Sequence, residues 1–487
     1  MKVAVIGSGI GGLAIAIRLA IKGHQVDVFE KNSYPGGKLN EIRTNGYRFD
    51  TGPSLFTLPQ LLDEIQELSG IEKVQRLAYE KLDIVCKYFY PNGKQINAYA
   101  DPERFAHECE QQVGEKPENI LRHLSKVEVL YRQTAPIFLF NSLHRWRNYF
   151  QMNVLKAVLR FDRVNLFSTM HSVNKRRFHS PEVVQLFDRY GTYNGSDPYR
   201  APATLNVIGH LENNMGAYFP SEGMYAIAKH LFKIATDKGV RFHFNTLVSR
   251  LHTKGKRITA IQANDLELPF DLVCSDSDVS YLADNMLRHP LRKRLARMEP
   301  SSSALIFYWG VRKEFPELDL HNIIFSRHYR EEFQAYFKEK TIIYDPTVYI
   351  FISSKVVKND APKGCENWFV MVNAPVVSGQ DWPKLIDETR KRVVEKINKI
   401  LHTDINSLIE TEEVLSPVTI ESKTLSKGGA LYGHSGNSKL AAILRHPNFL
   451  NKFRNLYFVG GSVHPGGGIP LCLASARIVD SEIPAAQ

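Results

Sequence analysis

The chain opens on a short apolar run with β-branched positions, KVAVI at 2–6, passes through GSGIGG and continues into LAIAIRLAIKG, whose apolar residues recur at helical spacing. A second apolar run, QVDVFE, ends at Glu30. The pattern predicts a strand, glycine turn, helix, strand unit, with Gly7, Gly9 and Gly12 in the G-x-G-x-x-G spacing and an acid 23 residues after Gly7. Each position has a physical task. Gly7 permits the tight turn, Gly9 lets the backbone approach a pyrophosphate, and Gly12 lets the helix pack closely on the strand. With Ile10 and Gly11 between them, they present unpaired N–H groups of a helix N-terminus to the pyrophosphate, while Glu30 accepts from a ribose hydroxyl.

Further along, GAYFPSEGMYAIAKHLFKIATDKGVRFHFNTLVSRL reads as a strand, a helix from about Tyr225 and a strand returning to the nucleotide domain. FDLVCSDSDV is an apolar strand that runs into a polar turn at Asp276. DPTVYIFISS (Asp345–Ser354) and NWFVMVNAPV (Asn367–Val376) are rich in β-branched and aromatic residues, which suits the floor of an apolar pocket. Asp387–Leu401 has helical apolar spacing with charges opposite, as an outer helix would. The terminal NLYFVGGSVHPGGGIPLCLASARIV predicts a strand at Leu456–Val459, a glycine turn with His464 and Pro465, and a helix opening near Ile469–Pro470. Proline in the first helical turn costs no hydrogen bond, and that end of the helix offers free N–H groups and the positive end of its dipole.

Composition narrows the class. The chain has 487 residues, 43% hydrophobic and 23% charged, enough to bury a sizeable core and too large for a disulfide scaffold. The five cysteines are scattered without a C-x-x-C pair, so neither a disulfide framework nor a zinc site is indicated, and a reducing compartment fits. Glycines and Arg18 interrupt the first apolar run, which reads as part of the fold rather than as a signal peptide. No window approaches the ~20 apolar residues a membrane-spanning helix needs.

The net charge is +11, and much of it falls between residues 122 and 178. There eleven basic residues stand against only Glu128 and Asp162, a local net charge of +9, interleaved with Phe138, Phe140, Trp146, Tyr149, Phe150, Phe161 and Phe167. A basic, aromatic, largely helical stretch can hold a membrane surface, with rings at the headgroup boundary and cations toward anionic lipid. The competing reading is a solvated basic face over the domain's own core. No recognised nucleic-acid module accompanies the charge, so no nucleic-acid partner is expected.

The segment after Glu30 carries a second Gly-Gly plus base, Gly36, Gly37 and Lys38, and then Phe49, Asp50, Gly52 and Pro53. This order resembles the flavoprotein superfamily of amine oxidases, protoporphyrinogen oxidases, Rab GDP-dissociation inhibitors and carotenoid desaturases. The resemblance implies FAD as cofactor. It also implies that Lys38 lies near the pyrophosphate, that the turn Gly52, Pro53, Ser54, Leu55 faces the flavin, that Val248 lies against the adenine, and that Gly460 and Gly461 approach the ribityl-pyrophosphate. Leu431, Gly468 and Ile469 complete the implied contacts, and Asp276 stands where relatives often have Asn.

Over nearly its whole length the chain resembles the bacterial and fungal type of phytoene and carotenoid desaturase, through GYRFDTGPS, YNGSDPYRAPATL, YFPSEGMYAI, HNIIFS, DPTVYI, VNAP, SKGGALYG and GGSVHPGGGIPLCL. The last of these looks most like the 1-hydroxycarotenoid 3,4-desaturases, with phytoene desaturases close behind. The resemblance implies an α/β fold in which a Rossmann-like FAD-binding domain (1–85, 206–285 and 421–487) interleaves with a mixed α+β substrate domain and a helical membrane-facing region (86–205 and 286–420). It implies hydride transfer from an allylic carbon to flavin in carotenoid biosynthesis, with oxygen or a quinone as electron acceptor, in a cytoplasmic, peripherally membrane-associated enzyme. No catalytic acid/base pair stands out: His464 and Asp50 read as turn, cofactor-contact or network residues. The alternatives are a flavin amine oxidase and a non-catalytic prenyl- or lipid-binding protein of the same fold.

Overall fold

A computed structural model describes residues 1–139, 141–142, 144–145, 168–438 and 445–486. Five parallel strands form the first sheet, in the order Leu456–Phe458, Leu272–Ser275, Lys2–Ile6, Gln25–Phe29, Arg241–His243. The period-2 alternation of the central strand explains its two faces. Val3 and Val5 join the core under the helices Ile10–Ile21, Tyr225–Asp237 and Ile469–Glu482, while Ala4 and Ile6 pack toward the antiparallel sheet Val248–Lys254, Arg257–Ala263, Leu266–Pro269. With both faces covered, the strand reads as an unbroken apolar run.

A second, seven-stranded sheet runs Ile409–Leu415, Ser303–Val311, Glu366–Ala374, Val348–Ile352, His321–Ile324, Ile84–Phe89, Gln95–Tyr99. It is antiparallel except where His321–Ile324 meets Ile84–Phe89. Leu305, Phe307 and Trp309 of one strand and Trp368, Val370 and Val372 of the next pack under the amphipathic helix Trp382–Leu401. The intervening Ile306, Tyr308, Phe369 and Met371 therefore face the other way, into a cavity.

Helices Pro102–Val113, Pro117–Phe138, Met170–Arg177 and Pro181–Asp188 cover one end of this sheet. Residues 207–215 pack on the second of them, with Asn214 Nδ2 donating to the Leu124 carbonyl at 3.0 Å and His210 against Tyr131. The chain therefore rejoins the parallel sheet only after this point.

Of the basic stretch 122–178, Arg147, Lys156, Arg160, Arg163 and the rings of Phe140, Trp146, Tyr149, Phe150, Phe161 and Phe167 lie outside the described residues. Among the described ones, Arg145 is engaged by the protein itself, paired with Glu482 at 3.1 Å and stacked over Phe449. No helix among the described residues is long and apolar enough to cross a membrane.

Candidate active site

The carboxyl ends of the parallel strands and the inner face of the seven-stranded sheet enclose one continuous cavity of about 660 Å³. Its first half is built from glycine turns. Gly7 turns at φ +92° and donates to the Phe29 carbonyl, joining the first two strands at their ends. Behind this turn Gly12 is pressed on the Gly7 carbonyl and Gly11 on the Gly460 backbone, where any side chain would collide. The second glycine pair docks on the first: Gly36 N–H donates to the Ser8 carbonyl at 2.8 Å, and Gly37 faces the Gly9 Cα. Gly52 in turn lies on the backbone of Lys38 and Leu39. Three chain segments thus reach one place because none carries a Cβ there.

The structure brings Gly7, Gly9, Ile10, Glu30, Lys38, Gly52, Pro53, Ser54, Leu55, Val248, Asp276, Leu431, Gly461, Gly468 and Ile469 to the wall of this cavity. Gly11, Gly12 and Gly460 stand behind it, holding the first helix against the strand ends.

Glu30 is oriented by four hydrogen bonds. Ser8 donates through N–H and Oγ to one carboxylate oxygen, and Asn32 through N–H and Nδ2 to the other, all at 2.9–3.0 Å. Val248 arrives because Thr246 and Asn245 are tied to the Glu30 and Asn32 carbonyls. Lys38 donates to the carbonyls of Ala430 and Leu431 at 3.1 and 2.7 Å, tying the N-terminal segment to the C-terminal one, and burial lowers its pKa. Burial lifts the Asp276 carboxyl to about 7, against the pull of backbone N–H groups of Gly12 and Gly9 and of the Lys38 cation.

Two helix N-termini converge here, at Ile10 and at Ile469, the latter preceded by Gly468 at φ +106° with open space where a side chain would stand. Converging N–H donors, a Cβ-free cradle and an oriented carboxylate at the end of the second strand fit a flavin adenine dinucleotide: donors for the pyrophosphate and an acceptor for the ribose.

The sequence left Arg445 unnoticed. It donates to the carbonyls of Tyr432 and Gly461, at 2.8 and 3.2 Å, and to Asn194 Oδ1, and burial lowers its pKa to about 10. His464 also lines the cavity. Its Nε2 pairs with the Asn141 carbonyl at 2.9 Å, and burial holds its pKa near 4, so it is a neutral wall residue. Asp50 is wholly taken up by Arg48 and by the N–H groups of Met224 and Tyr225.

The second half of the cavity is apolar. Ile306, Tyr308, Ile323, Phe369 and Met371 form its floor, and Tyr131, Ala135, Leu139, Leu205, Ile208 and Leu211 its roof. Set into this wall is a buried polar group: Arg189 with Glu212, Tyr190 and Tyr193, and beside it His321, Tyr349 and Ser54. His321 opens the HNIIFS motif that the sequence singles out, yet no spacing rule joins it to Arg189, 132 positions away.

Comparison with known proteins agrees with this architecture. The profile of the family described as "Flavin containing amine oxidoreductase" matches residues 10–479. The chain is 46% identical to a 1-hydroxycarotenoid 3,4-desaturase of Flavobacterium sp. (strain P99-3), covering 99% of both chains. It is 31% identical to a 4,4'-diapolycopene oxygenase of Methylomonas sp., covering 99% of this chain and 98% of the other. Among solved structures, putrescine oxidase bound to putrescine superposes with a TM-score of 0.64 at 10% identity, over 99% of both chains. An oxidoreductase from Methanosarcina mazei superposes at 0.63 and 15% identity, over 99% of this chain and all of the other. At such identities these two structures speak for the fold alone.

Proposed function

We propose, for a chain that belongs to the flavin-containing amine oxidoreductase family and to its carotenoid desaturases, that it removes two hydrogens from C3 and C4 of a 1-hydroxycarotenoid, extending the conjugated polyene by one double bond. The observation that carries this reading is the continuity of the cavity: the glycine cradle opens directly onto an apolar channel walled by alternate residues of two long strands.

FAD, when bound, supplies the two-electron acceptor for the hydride that leaves the allylic carbon. The chain's own residues do the rest. Gly9 and Ile10 would offer backbone donors to the pyrophosphate, Glu30 would accept from the ribose, and the helix N-terminus at Gly468 and Ile469 would face the flavin ring. Ile306, Phe369 and Met371 give a rigid floor that aligns a flat polyene and excludes water. The carbocation left by hydride loss is delocalised along the polyene, and a proton then leaves the neighbouring carbon, so no strong base is required of the wall.

The reading includes a peripheral position on the cytoplasmic membrane surface, with substrate drawn from the bilayer and oxygen or a quinone reoxidising the flavin. The +9 charge and interleaved rings of residues 122–178 support it.

The test is to supply the FAD-loaded protein in liposomes with 1-hydroxylated and unhydroxylated carotenoids and to follow absorbance and product mass. The expected result is a red shift and a product lighter by two hydrogens from the hydroxylated substrate. A shift with the unhydroxylated substrate alone makes it a phytoene-type desaturase. A product gaining oxygen makes it an oxygenase, and no change with either removes the desaturase reading.

A further inference from the structure

A second concentration of cations lies outside the stretch 122–178. Between Asp284 and Glu299 the sequence carries Arg288, Arg292, Lys293, Arg294 and Arg297 and no acid, and no acid stands between Glu421 and Asp480. The fold brings these two acid-free segments together at the short helix Leu291–Leu295: Leu295 and Phe453 share one core cluster, with Leu287, Leu291, Met298 and Leu450 packed against it. With the apolar sides turned inward, Lys452 and Arg454 join the five cations at the surface. The Arg454 N–H donates to the Lys256 carbonyl at 3.1 Å, which adds an eighth exposed cation from a third segment.

Among the described residues none of the eight is paired with a carboxylate, and the flanking acids are committed elsewhere, Asp284 to Lys427 at 2.6 Å and Glu299 to Arg200 at 2.9 Å. On other faces exposed lysines do find acids, Lys233 with Asp237 and Lys391 with Asp387. Like charges gathered without counter-charge repel one another, and an anionic partner relieves that cost.

We infer that this basic face, formed by residues 288–297 and 452–454, docks on the anionic headgroups of a bilayer beside the cavity. The inference rests on the peripheral-membrane reading above and names a docking surface that the stretch 122–178 does not contain.

Its position supports this partner. His464 lines the cavity, its Nε2 pairs with the Asn141 carbonyl, and the His144 ring lies edge-on to it at 5.9 Å. Burial lowers the His144 pKa and the exposed Arg294 cation lowers it further, so the basic face reaches the residues that back the cavity wall. A carotenoid dissolved in a bilayer needs the membrane on that side. The ring these segments carry, Phe453, is 5% exposed, so a single-stranded nucleic acid finds nothing to stack on, whereas headgroup phosphates ask only for cations.

The test is sedimentation of the FAD-loaded protein with vesicles of phosphatidylcholine alone and with phosphatidylglycerol added. Wild type is expected to bind the anionic vesicles, and less as salt rises. Arg292→Gln, Lys293→Gln, Arg297→Gln and Lys452→Gln combined are expected to weaken that binding by about tenfold or more, with FAD content unchanged. Taking the same charge from other exposed positions, by Lys363→Gln, Lys384→Gln, Lys391→Gln and Lys399→Gln, is expected to change it far less. Should the first combination not fold, Arg292→Gln with Lys293→Gln must show the weaker binding. Undiminished binding in the folded variant, or an equal loss in the two combinations, overturns the docking face and leaves the membrane reading to residues 122–178. Tighter binding of wild type to a DNA duplex than to anionic vesicles, lost in the first combination, assigns the face to nucleic acid and overturns it as well. A wild type that binds neither kind of vesicle overturns both the face and the membrane reading.

Discussion

Arg189 and Glu212 meet at 2.7 Å in the wall of the cavity, both side chains enclosed by protein. Tyr190 and Tyr193 also donate to the Glu212 carboxylate, and Arg189 donates to the Tyr193 hydroxyl. Burial works against the guanidinium charge, and the carboxylate overrides it, so Arg189 stays protonated. An ion pair in an apolar wall needs both members. Glu212→Gln leaves a buried cation uncompensated and is expected to cost about 3–5 kcal/mol in chemical denaturation. Asp387→Asn, which breaks the exposed pair with Lys391, is expected to leave the midpoint where it was. Equal effects from the two substitutions would contradict this account of the wall.

Asp276 gives the pH dependence a sign. Its carboxyl is raised from 3.8 to about 7, so the ionised form is the one the fold disfavours, and stability declines as pH rises across that interval. The ionised carboxylate also competes with a pyrophosphate for the N–H group of Gly9, which lines the cavity. FAD retention is therefore expected to weaken as pH rises through about 7, and Asp276→Asn to flatten the profile. Flavin fluorescence titrations below and above neutrality check this, and an Asn variant with the wild-type slope would refute it.

Gly11 tests the close packing behind the cradle. A Cβ there would stand 2.8 Å from the Gly460 nitrogen and 2.9 Å from its Cα, backbone atoms with no room to yield. Gly11→Ala is expected to separate the first helix from the C-terminal turn, with loss of bound FAD on gel filtration. Gly239→Ala, at φ +81° with nothing within 4 Å, should cost about 1–2 kcal/mol and keep its FAD. FAD retained by the Gly11 variant would show that the contact does not hold the cradle.

These outcomes mark what the sequence could and could not disclose. The strand Lys2–Ile6, the helix Ile10–Ile21 and the strand Gln25–Phe29 were legible because period, glycine spacing and terminal acid are local signals. The pocket floor at Val348–Ile352 and Glu366–Ala374 was legible as strands, but which alternate residues face the cavity depends on the partner helix Trp382–Leu401. Arg445 and the group formed by Ser54, Arg189, Glu212, His321 and Tyr349 were not legible. Their partners come from distant segments, and only the fold brings them together.

The membrane proposal can be tested on the charge of residues 122–178. Neutralising Arg145, Arg147, Lys156 and Arg160 together is expected to weaken binding to anionic liposomes while FAD stays bound, at about 1 kcal/mol for each cation that faces lipid. Arg145→Gln alone should change liposome binding little, because that guanidinium is already paired with Glu482. Sedimentation with vesicles reads both, and undiminished binding by the fourfold variant would return the stretch to a solvated face.

The central claim is that this cavity passes a hydride from a hydroxylated carotenoid to FAD. The most direct measurement is anaerobic mixing of the FAD-loaded protein with 1-hydroxycarotenoid in liposomes, following flavin and polyene bands together. The account predicts that oxidised-flavin absorbance falls in step with a red shift of the polyene, and that putrescine leaves the flavin oxidised. A flavin that bleaches with the amine, or stays oxidised while carotenoid is bound, would contradict it.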